Sequence, residues 1–359
     1  MMIFLAEGNL LKSDAEALVN TVNTAGVMGK GIALQFKKAF PENFEEYAKA
    51  CEAGQVRPGS MFVTKVRSLG TTKYIINFPT KRHWKAKSTI EDIRLGLADL
   101  VDTVRHLGIR SIAIPPLGCG LGGLPWTDVL ALIEKAFAEL PEVDVRLYPP
   151  KGTPDVRSMP NRTKKPRMTP GRAALLAVLA RYSAMRFDPD FTLIETQKLS
   201  YFLQLVGEPL RLNFVKWCYG PYADNLRHVI SELDGHYLCG WGAGENRPMV
   251  KLRLTDPALP AINSTLKKDN CLENRIERVL DLIEGFDSPY GLELLASVHW
   301  VITKELDCRV DPAEVHTAIS QWTQRKSRMF KQHHIDLAVE RLQEQGWLEE
   351  CPARQSALS

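Results

Sequence analysis

The chain has 359 residues, 45% of them hydrophobic and 25% charged, with a formal net charge of +4. That length exceeds one typical domain and implies two, and the composition is that of a globular protein with material for sizeable cores. So mild a charge does not announce a nucleic-acid binder, and the placing of the cations matters more than their total.

The opening "MMIFLAEGNLL" meets Glu7 within a few residues, so it reads as a strand and not as a targeting signal. No apolar run reaches bilayer-spanning length, so no membrane contact is expected. Strands and helices then alternate. Strands are expected at "MIFLAEG", "ALVNTVN", "SMFVTKV", "KYIINFP", "RSIAIPPLG" and "VDVRLYP". Helices are expected at "GKGIALQFKKAF", "PENFEEYAKACEAG", "TIEDIRLGLADLVDTVRHLG" and "WTDVLALIEKAFAEL". Such alternation implies an α/β fold, a sheet sandwiched between helices. Six prolines and many basic residues then crowd residues 149 to 171. Few of these residues can pack a core, so residues 151–170 are expected to link a first domain, 1–150, to a second, 171–359. The second is mainly helical, with short strands at "LNFVKWCYG" and "PMVKLRLT". Seven cysteines lie far apart without a C-x-x-C pair, which argues against a disulfide framework or zinc ribbon. Reduced, mostly buried thiols in a cytoplasmic protein are expected. The histidines form no compact ligand set, so no metal is expected, and no cofactor either.

Three stretches of the first domain carry chemistry. In "VNTVNTAGVMGKGIA" a strand ends at Asn20 and Asn23, and Gly29-Lys30-Gly31 opens a helix. Glycines let main-chain N–H groups approach an anion, and a helix N-terminus favours one. Neither the Walker nor the G-x-G-x-x-G spacing is present, and alone the turn reads equally as an ordinary tight turn. "PPLGCGLGGLPW", residues 115 to 126, is a second glycine-rich loop between strand and helix. Two such loops at strand ends suggest a diphosphate held by main-chain amides. Between them "NFPTKRHWKAKS" leaves a core strand and displays Lys81, Arg82, Lys85 and Lys87 around Trp84. Cations suit phosphates and an aromatic face suits an unstacked base. Trp84 reads either as such a face or as a cover for the sheet edge.

Together with "EGNLL", these segments resemble a macrodomain, the three-layer α/β/α mixed-sheet fold that binds ADP-ribose. Within that superfamily, "VNTVNTAGVMGKGIALQFKKAFPENF", "NFPTKRHW" and "LGCGLGGLPW" are similar to the branch that holds the terminal ADP-ribose protein glycohydrolase and the DarG antitoxins. DarG proteins remove the ADP-ribose that DarT toxins attach to thymidine bases of single-stranded DNA. The resemblance implies ADP-ribose contacts from Gly8, Asn9 and Leu10. Asn9 stands where many macrodomains carry an acidic residue that touches the adenine amino group, and its amide oxygen can accept the same bond. Asn20 and Asn23 would line the distal ribose. Gly29, Lys30, Gly31 and Ile32 would form the first phosphate loop, and Pro116, Gly118, Cys119, Gly120, Leu121 and Gly122 the second. Lys81 matches the catalytic lysine of the branch, either stabilising charge on the leaving base or acting as a nucleophile, its amine kept neutral by Arg82, Lys85 and Lys87. Arg82, His83, Trp84 and Lys85 would meet DNA. The protein-directed relative has an acidic residue at the position of Gly122, so a lysine–aspartate pair is missing here. Asp128 lies on the next helix, and nothing in the sequence brings it to the site.

In the second domain, "QKLSYFLQLVGEPL" and "FVKWCYGPYADNLRHVISELDGHY" resemble the Panacea-type antitoxin domain over about 171–255. The bare residues read as core aromatics, and no nucleophile–base set stands out. The resemblance implies binding and inhibition of a cognate DarT toxin, and the slightly acidic balance of this half suits a basic cleft. The alternatives are a protein-directed ADP-ribosyl hydrolase, or an ADP-ribose reader fused to an interaction domain; for the second domain, direct DNA binding.

Overall fold

The computed structural model describes residues 2–67, 70–150, 159–242, 247–266 and 270–349. The chain forms two compact units, the first made mainly of residues up to Lys165 and the second mainly of residues from Pro166 on. The first contains β1 (Met2–Leu5), a 3-10 turn (Leu10–Lys12), β2 (Ala17–Asn23), α1 (Gly31–Ala39), α2 (Pro41–Glu52), β3 (Phe62–Lys65) and β4 (Tyr74–Lys81). It continues with α3 (Ile90–Leu107), β5 (Ser111–Ile114), α4 (Trp126–Phe137) and β6 (Asp144–Leu147). All six expected strands join one sheet, in the order β1-β6-β5-β2-β4-β3, parallel except where β3 meets β4.

The central strand β2 is buried nearly throughout, which matches its apolar run. Its side chains alternate between two cores. Ala17 and Val19 join Ile93, Leu97 and Leu100 of α3 and Val129, Ile133 and Phe137 of α4. Leu18 faces the other way, with Phe36 and Ala39 of α1. Each such fully buried large side chain contributes roughly 1.5–3 kcal/mol. The result is the three-layer mixed sheet that the alternation implies. Three loops leave the C-terminal ends of the neighbouring strands β5, β2 and β4, where α/β sheets form their ligand crevice.

Within the proline-rich stretch, Arg162 N–H donates to the Lys38 carbonyl at 2.8 Å, and its guanidinium lies 5.5 Å over the Phe40 ring. This part of the stretch is therefore not a bare tether: its main chain and one cation find partners on α1 and just beyond it.

The second unit contains α5 (Pro170–Ala184), β7 (Phe191–Thr192), α6 (Leu193–Leu205), β8 (Phe214–Trp217), β9 (Gly220–Ala223), α7 (Leu226–Leu233), β10 (Leu238–Cys239) and β11 (Lys251–Leu254). The helices α8 (Ala258–Leu266), α9 (Asn270–Ile283), α10 (Pro289–Lys304), α11 (Pro312–Trp322), α12 (Gln324–Met329) and α13 (Gln332–Glu344) follow. In α6 every residue from Leu193 to Leu203 is buried. A helix buried all round is the centre of a bundle, and α10 is nearly as enclosed. Strands β8 and β9 form a separate antiparallel hairpin. The expectation of buried, reduced thiols is corrected: of the free cysteines Cys51, Cys119, Cys218, Cys239 and Cys271 only Cys239 is buried, and Cys308 is disulfide-bonded.

Candidate active site

Lys81 ends β4, and a register shift aims it. β2 and β4 pair evenly from Ala17 opposite Tyr74 to Val22 opposite Pro79, after which Asn23 pairs with Lys81. Thr80 is thus an extra residue. Strand side chains alternate between faces, so the bulge gives Lys81 the face that an unbroken register would assign to residue 80. Thr24 fixes the strand end: its N–H donates to the Lys81 carbonyl at 3.0 Å and its hydroxyl to the Arg82 carbonyl at 2.6 Å. The Lys81 ammonium donates to the Leu121 carbonyl at 2.6 Å, so it stands against the second glycine loop. Partial burial, and then the charge of Lys87, hold its pKa below the ordinary lysine value.

The two loops approach each other. Leu121 Cδ1 lies 3.8 Å from where a Cβ on Gly31 would stand. Lys30 caps α1 without a side-chain hydrogen bond, which leaves the first-turn N–H groups of Gly31 and Ile32 without a capping acceptor. Gly29 and Lys30 are exposed at the same edge. The second loop is closed by its own main chain. Cys119 N–H donates to Pro116, Leu124 N–H to Gly118, Gly123 N–H to Gly120 and Ser88 N–H to Gly122, each at 3.1 Å. A Cβ on Gly122 would stand 2.1 Å from the Gly118 carbonyl oxygen and 2.4 Å from Ser88 Oγ, so this loop has no room for the carboxylate of the protein-directed relative. Burial, with Asp128 adding to it, pushes the Cys119 thiol up to about 11, so it stays neutral.

Several expected ligand groups are otherwise engaged. Asn23 closes its own loop: Oδ1 accepts from Ala25 at 2.9 Å and Val27 at 3.3 Å, and Nδ2 donates to the Val27 carbonyl at 2.6 Å. These bonds fix the amide at the crevice edge, with one Nδ2 hydrogen engaged in the loop. Asn9 caps the 3-10 turn by accepting from Leu11 N–H at 3.0 Å, and its Nδ2 meets Met159 Sδ at 3.3 Å. Its oxygen thus has a main-chain partner already. Leu10 is a core residue, leaving only its main chain for a ligand, and Gly8 is exposed with φ +94°. Asn20 ends a buried chain of amides that was not anticipated. Thr64 donates to Asn43 Oδ1 at 2.8 Å, Asn77 Nδ2 donates to the same oxygen at 2.7 Å, and Asn20 Nδ2 donates to Asn77 Oδ1 at 3.0 Å. Asn20 Oδ1 is left buried without a partner. Asn77 interrupts the apolar run "KYIINFP", and that interruption was its signal in the sequence.

In "KRHWKAK" the cations separate into roles. Arg82 grips Asp92 of α3 with two bonds, at 2.8 and 3.0 Å, so it anchors the loop and does not act on Lys81. Lys85 lies 4.8 Å over the Trp84 ring and His83 stacks 5.2 Å from it. Of the three cations expected to favour a neutral Lys81, only Lys87 bears on it. Trp84 is 49% exposed and stays outside the cores, so it does not cover the sheet edge. Lys87 lies against Gly123, its Nζ 3.6 Å from the position of a Cβ there. Among the described residues no three His, Cys, Asp or Glu side chains form a metal site, and no helix is long and apolar enough to cross a membrane.

The macro domain family model matches residues 19–133. The DNA ADP-ribosyl glycohydrolase of Thermus aquaticus is 44% identical, covering 97% of this chain and 94% of its own length. The solved macrodomain of Mycobacterium tuberculosis DarG is 55% identical over 42% of this chain and 99% of its own, with a TM-score of 0.42. A DNA ADP-ribosyl transferase–DNA ADP-ribosyl glycohydrolase fusion protein of Thermosipho africanus is 37% identical over 44% of each chain. With 44% identity over an alignment that spans both units, the chain belongs to the DarG family of DNA ADP-ribosyl glycohydrolases.

Proposed function

We propose that this chain removes ADP-ribose from thymidine bases of single-stranded DNA, with Lys81 as the catalytic group, and that its helical unit binds and inhibits the cognate DarT transferase. The observation that carries the first part is the Lys81 ammonium on the Leu121 carbonyl, at the meeting of the two glycine loops. Main-chain donors of Gly31, Ile32 and the Gly118–Gly122 loop would hold the diphosphate. Trp84, with Lys85 and His83, would take the base and its flanking phosphates; Arg82 supports them by holding the loop. Breaking the bond between ribose and base leaves the electron pair on the base nitrogen, and water supplies the new hydroxyl at the ribose carbon. Lys81 either protonates the departing nitrogen or attacks the ribose carbon first; its pKa lies below the ordinary lysine value, the direction that eases loss of its proton. The absence of space at Gly122 counts against the protein-directed alternative, which needs a carboxylate there.

Thymidine-ADP-ribosylated oligonucleotide, incubated with wild type and Lys81→Ala and followed by gel, tests the reading. Lys81→Ala should lose about 10²–10⁴-fold in rate while retaining ADP-ribose binding by calorimetry. Wild-type turnover by the variant would overturn the assignment. ADP-ribose binding without turnover of modified DNA or modified protein by the wild type would favour a reader. For the second part, the fusion of transferase and glycohydrolase in the Thermosipho relative supports a shared task for the two activities. A pull-down of the cognate transferase by the full chain tests it, and retention of unmodified DNA alone would favour DNA binding instead.

A further inference from the structure

Beneath the β8–β9 hairpin lies a charged cluster that the hydrolase reaction does not use. Lys198 of α6, Glu293 and Ser297 of α10 and Lys326 of α12 are all essentially inaccessible. Lys326 Nζ donates to Glu293 at 2.6 Å and to Ser297 Oγ at 2.9 Å. Arg325 holds the same carboxylate at 2.7 and 3.0 Å, and Lys198 Nζ donates to the Pro221 carbonyl at 2.6 Å. The hairpin turn is pressed onto this cluster. Gly220 has φ +87°, and a Cβ there would stand 2.8 Å from Ser297 Oγ and 3.4 Å from Lys198 Nζ. At the surface Lys216 pairs with Glu305 at 2.8 Å and lies 4.6 Å over the Trp322 ring. Among the described residues, Lys198, Lys216, Arg325 and Lys326 are therefore matched by the two carboxylates Glu293 and Glu305. Burial, and then a neighbouring cation, push Lys198 down to about 7 and Lys326 to about 8, against the pull of Glu293.

Beside the cluster is a cavity of about 330 Å³ lined by Lys216, Trp217, Cys218, Trp322 and Thr323. Its rim is apolar and open: Trp217 is 56% exposed. Exposed aromatics over a positively charged floor are the make-up of an interaction hot spot. We propose that this hairpin face is where the cognate transferase docks, and that it receives a segment of that partner presenting a carboxylate beside a large apolar side chain. The proposal rests on the reading that the helical unit binds the transferase, and names the surface and its chemistry. Local charge here is opposite to the slightly acidic balance of the whole unit, so the partner segment is acidic.

The test measures affinity of the full chain for the purified cognate transferase at low and high salt. Wild type is compared with Trp217→Ala, Lys216→Glu and Lys216→Arg, all at exposed positions. Trp217→Ala and Lys216→Glu should bind at least about tenfold more weakly. Lys216→Arg should stay near wild type, high salt should weaken binding, and oligonucleotide hydrolysis should be unchanged in all. Wild-type binding that both weakening variants share would overturn this surface and leave toxin binding standing. No binding by wild type would overturn both. Loss of single-stranded DNA binding in Trp217→Ala, with transferase binding intact, would make the face a nucleic-acid site and overturn the proposal.

Discussion

A side chain at Gly122 would collide with the Gly118 carbonyl, an atom that is fixed in place by its bond from Leu124 N–H. Gly122→Ala must therefore shift the loop backbone, at a cost of about 1–3 kcal/mol, and displace the Leu121 carbonyl that holds Lys81. Thermal unfolding and oligonucleotide hydrolysis should both fall; a variant with wild-type values for both would mean that the loop yields freely. Lys87 sets the neighbouring charge. Its ammonium disfavours a second positive charge at Lys81, so Lys87→Met should raise the Lys81 pKa and move the pH–rate profile upward. If the neutral amine attacks, the acid limb moves up and activity near neutrality falls. If the ammonium donates, the alkaline limb moves up and neutral activity holds. Lys87 is exposed, so the displacement should be small and should shrink with added salt. A profile that stays put at low salt would show that Lys87 has no hold on Lys81.

Between elements, the amide chain Asn43–Asn77–Asn20 ties α2 to β4 and β2 beneath the crevice. Asn43→Ala removes the acceptor of both Thr64 and Asn77, leaving the buried Thr64 hydroxyl without its acceptor and Asn77 Nδ2 with the Phe62 carbonyl alone. The expected loss is on the order of 1–3 kcal/mol, read from urea unfolding, and ADP-ribose affinity should fall as Asn77, which holds Asn20, loses one of its own restraints. An unchanged midpoint would mean that water replaces the lost acceptor. This chain also marks how far sequence reasoning reaches. The six strands and four helices of the first unit were legible because their periodicities are strong and their caps explicit, as in Thr89 and Gly108 around α3. The bulge at Thr80 leaves periodicity untouched, so the aim of Lys81 came only from the resemblance. The loop-closing bonds of Asn9 and Asn23 were not legible, because sequence spacing does not show which local main-chain groups a side chain meets. In the second unit α8 and α12 leave little trace in the sequence. Pro260 and a run of small and polar residues obscure α8, and α12 is too short to show a period. The strands β7 and β10 are two residues each and carry no pattern.

For the molecule as a whole, burial in the second unit sets a dependence of stability on pH. His299 lies in its core, its Nδ1 2.8 Å from the Tyr201 hydroxyl, and burial pushes it down to about 4. Between pH 6.5 and 4 the unfolded chain holds this proton and the folded one does not, so stability falls as pH drops through that window. Lys198 works in the same direction at higher pH. Folded, it loses its proton near 7; unfolded, it keeps it to about 10.5, so stability rises with pH across that interval. Each group contributes a slope of up to about 1.4 kcal/mol per pH unit. The second unit should therefore unfold at lower urea at pH 5 than at pH 7, and at higher urea at pH 9. Five of the seven tryptophans, Trp217, Trp241, Trp300, Trp322 and Trp347, lie in this unit, so intrinsic fluorescence reports its transition. Lys198→Met should flatten the alkaline rise and leave the acid fall in place, because it removes one titration and not the other. An alkaline rise that survives in Lys198→Met would move the effect to Lys326, whose folded pKa of about 8 predicts a later onset. A midpoint that does not change between pH 7 and 9 in wild type would mean that neither lysine is held neutral, and that water reaches the cluster beneath the hairpin.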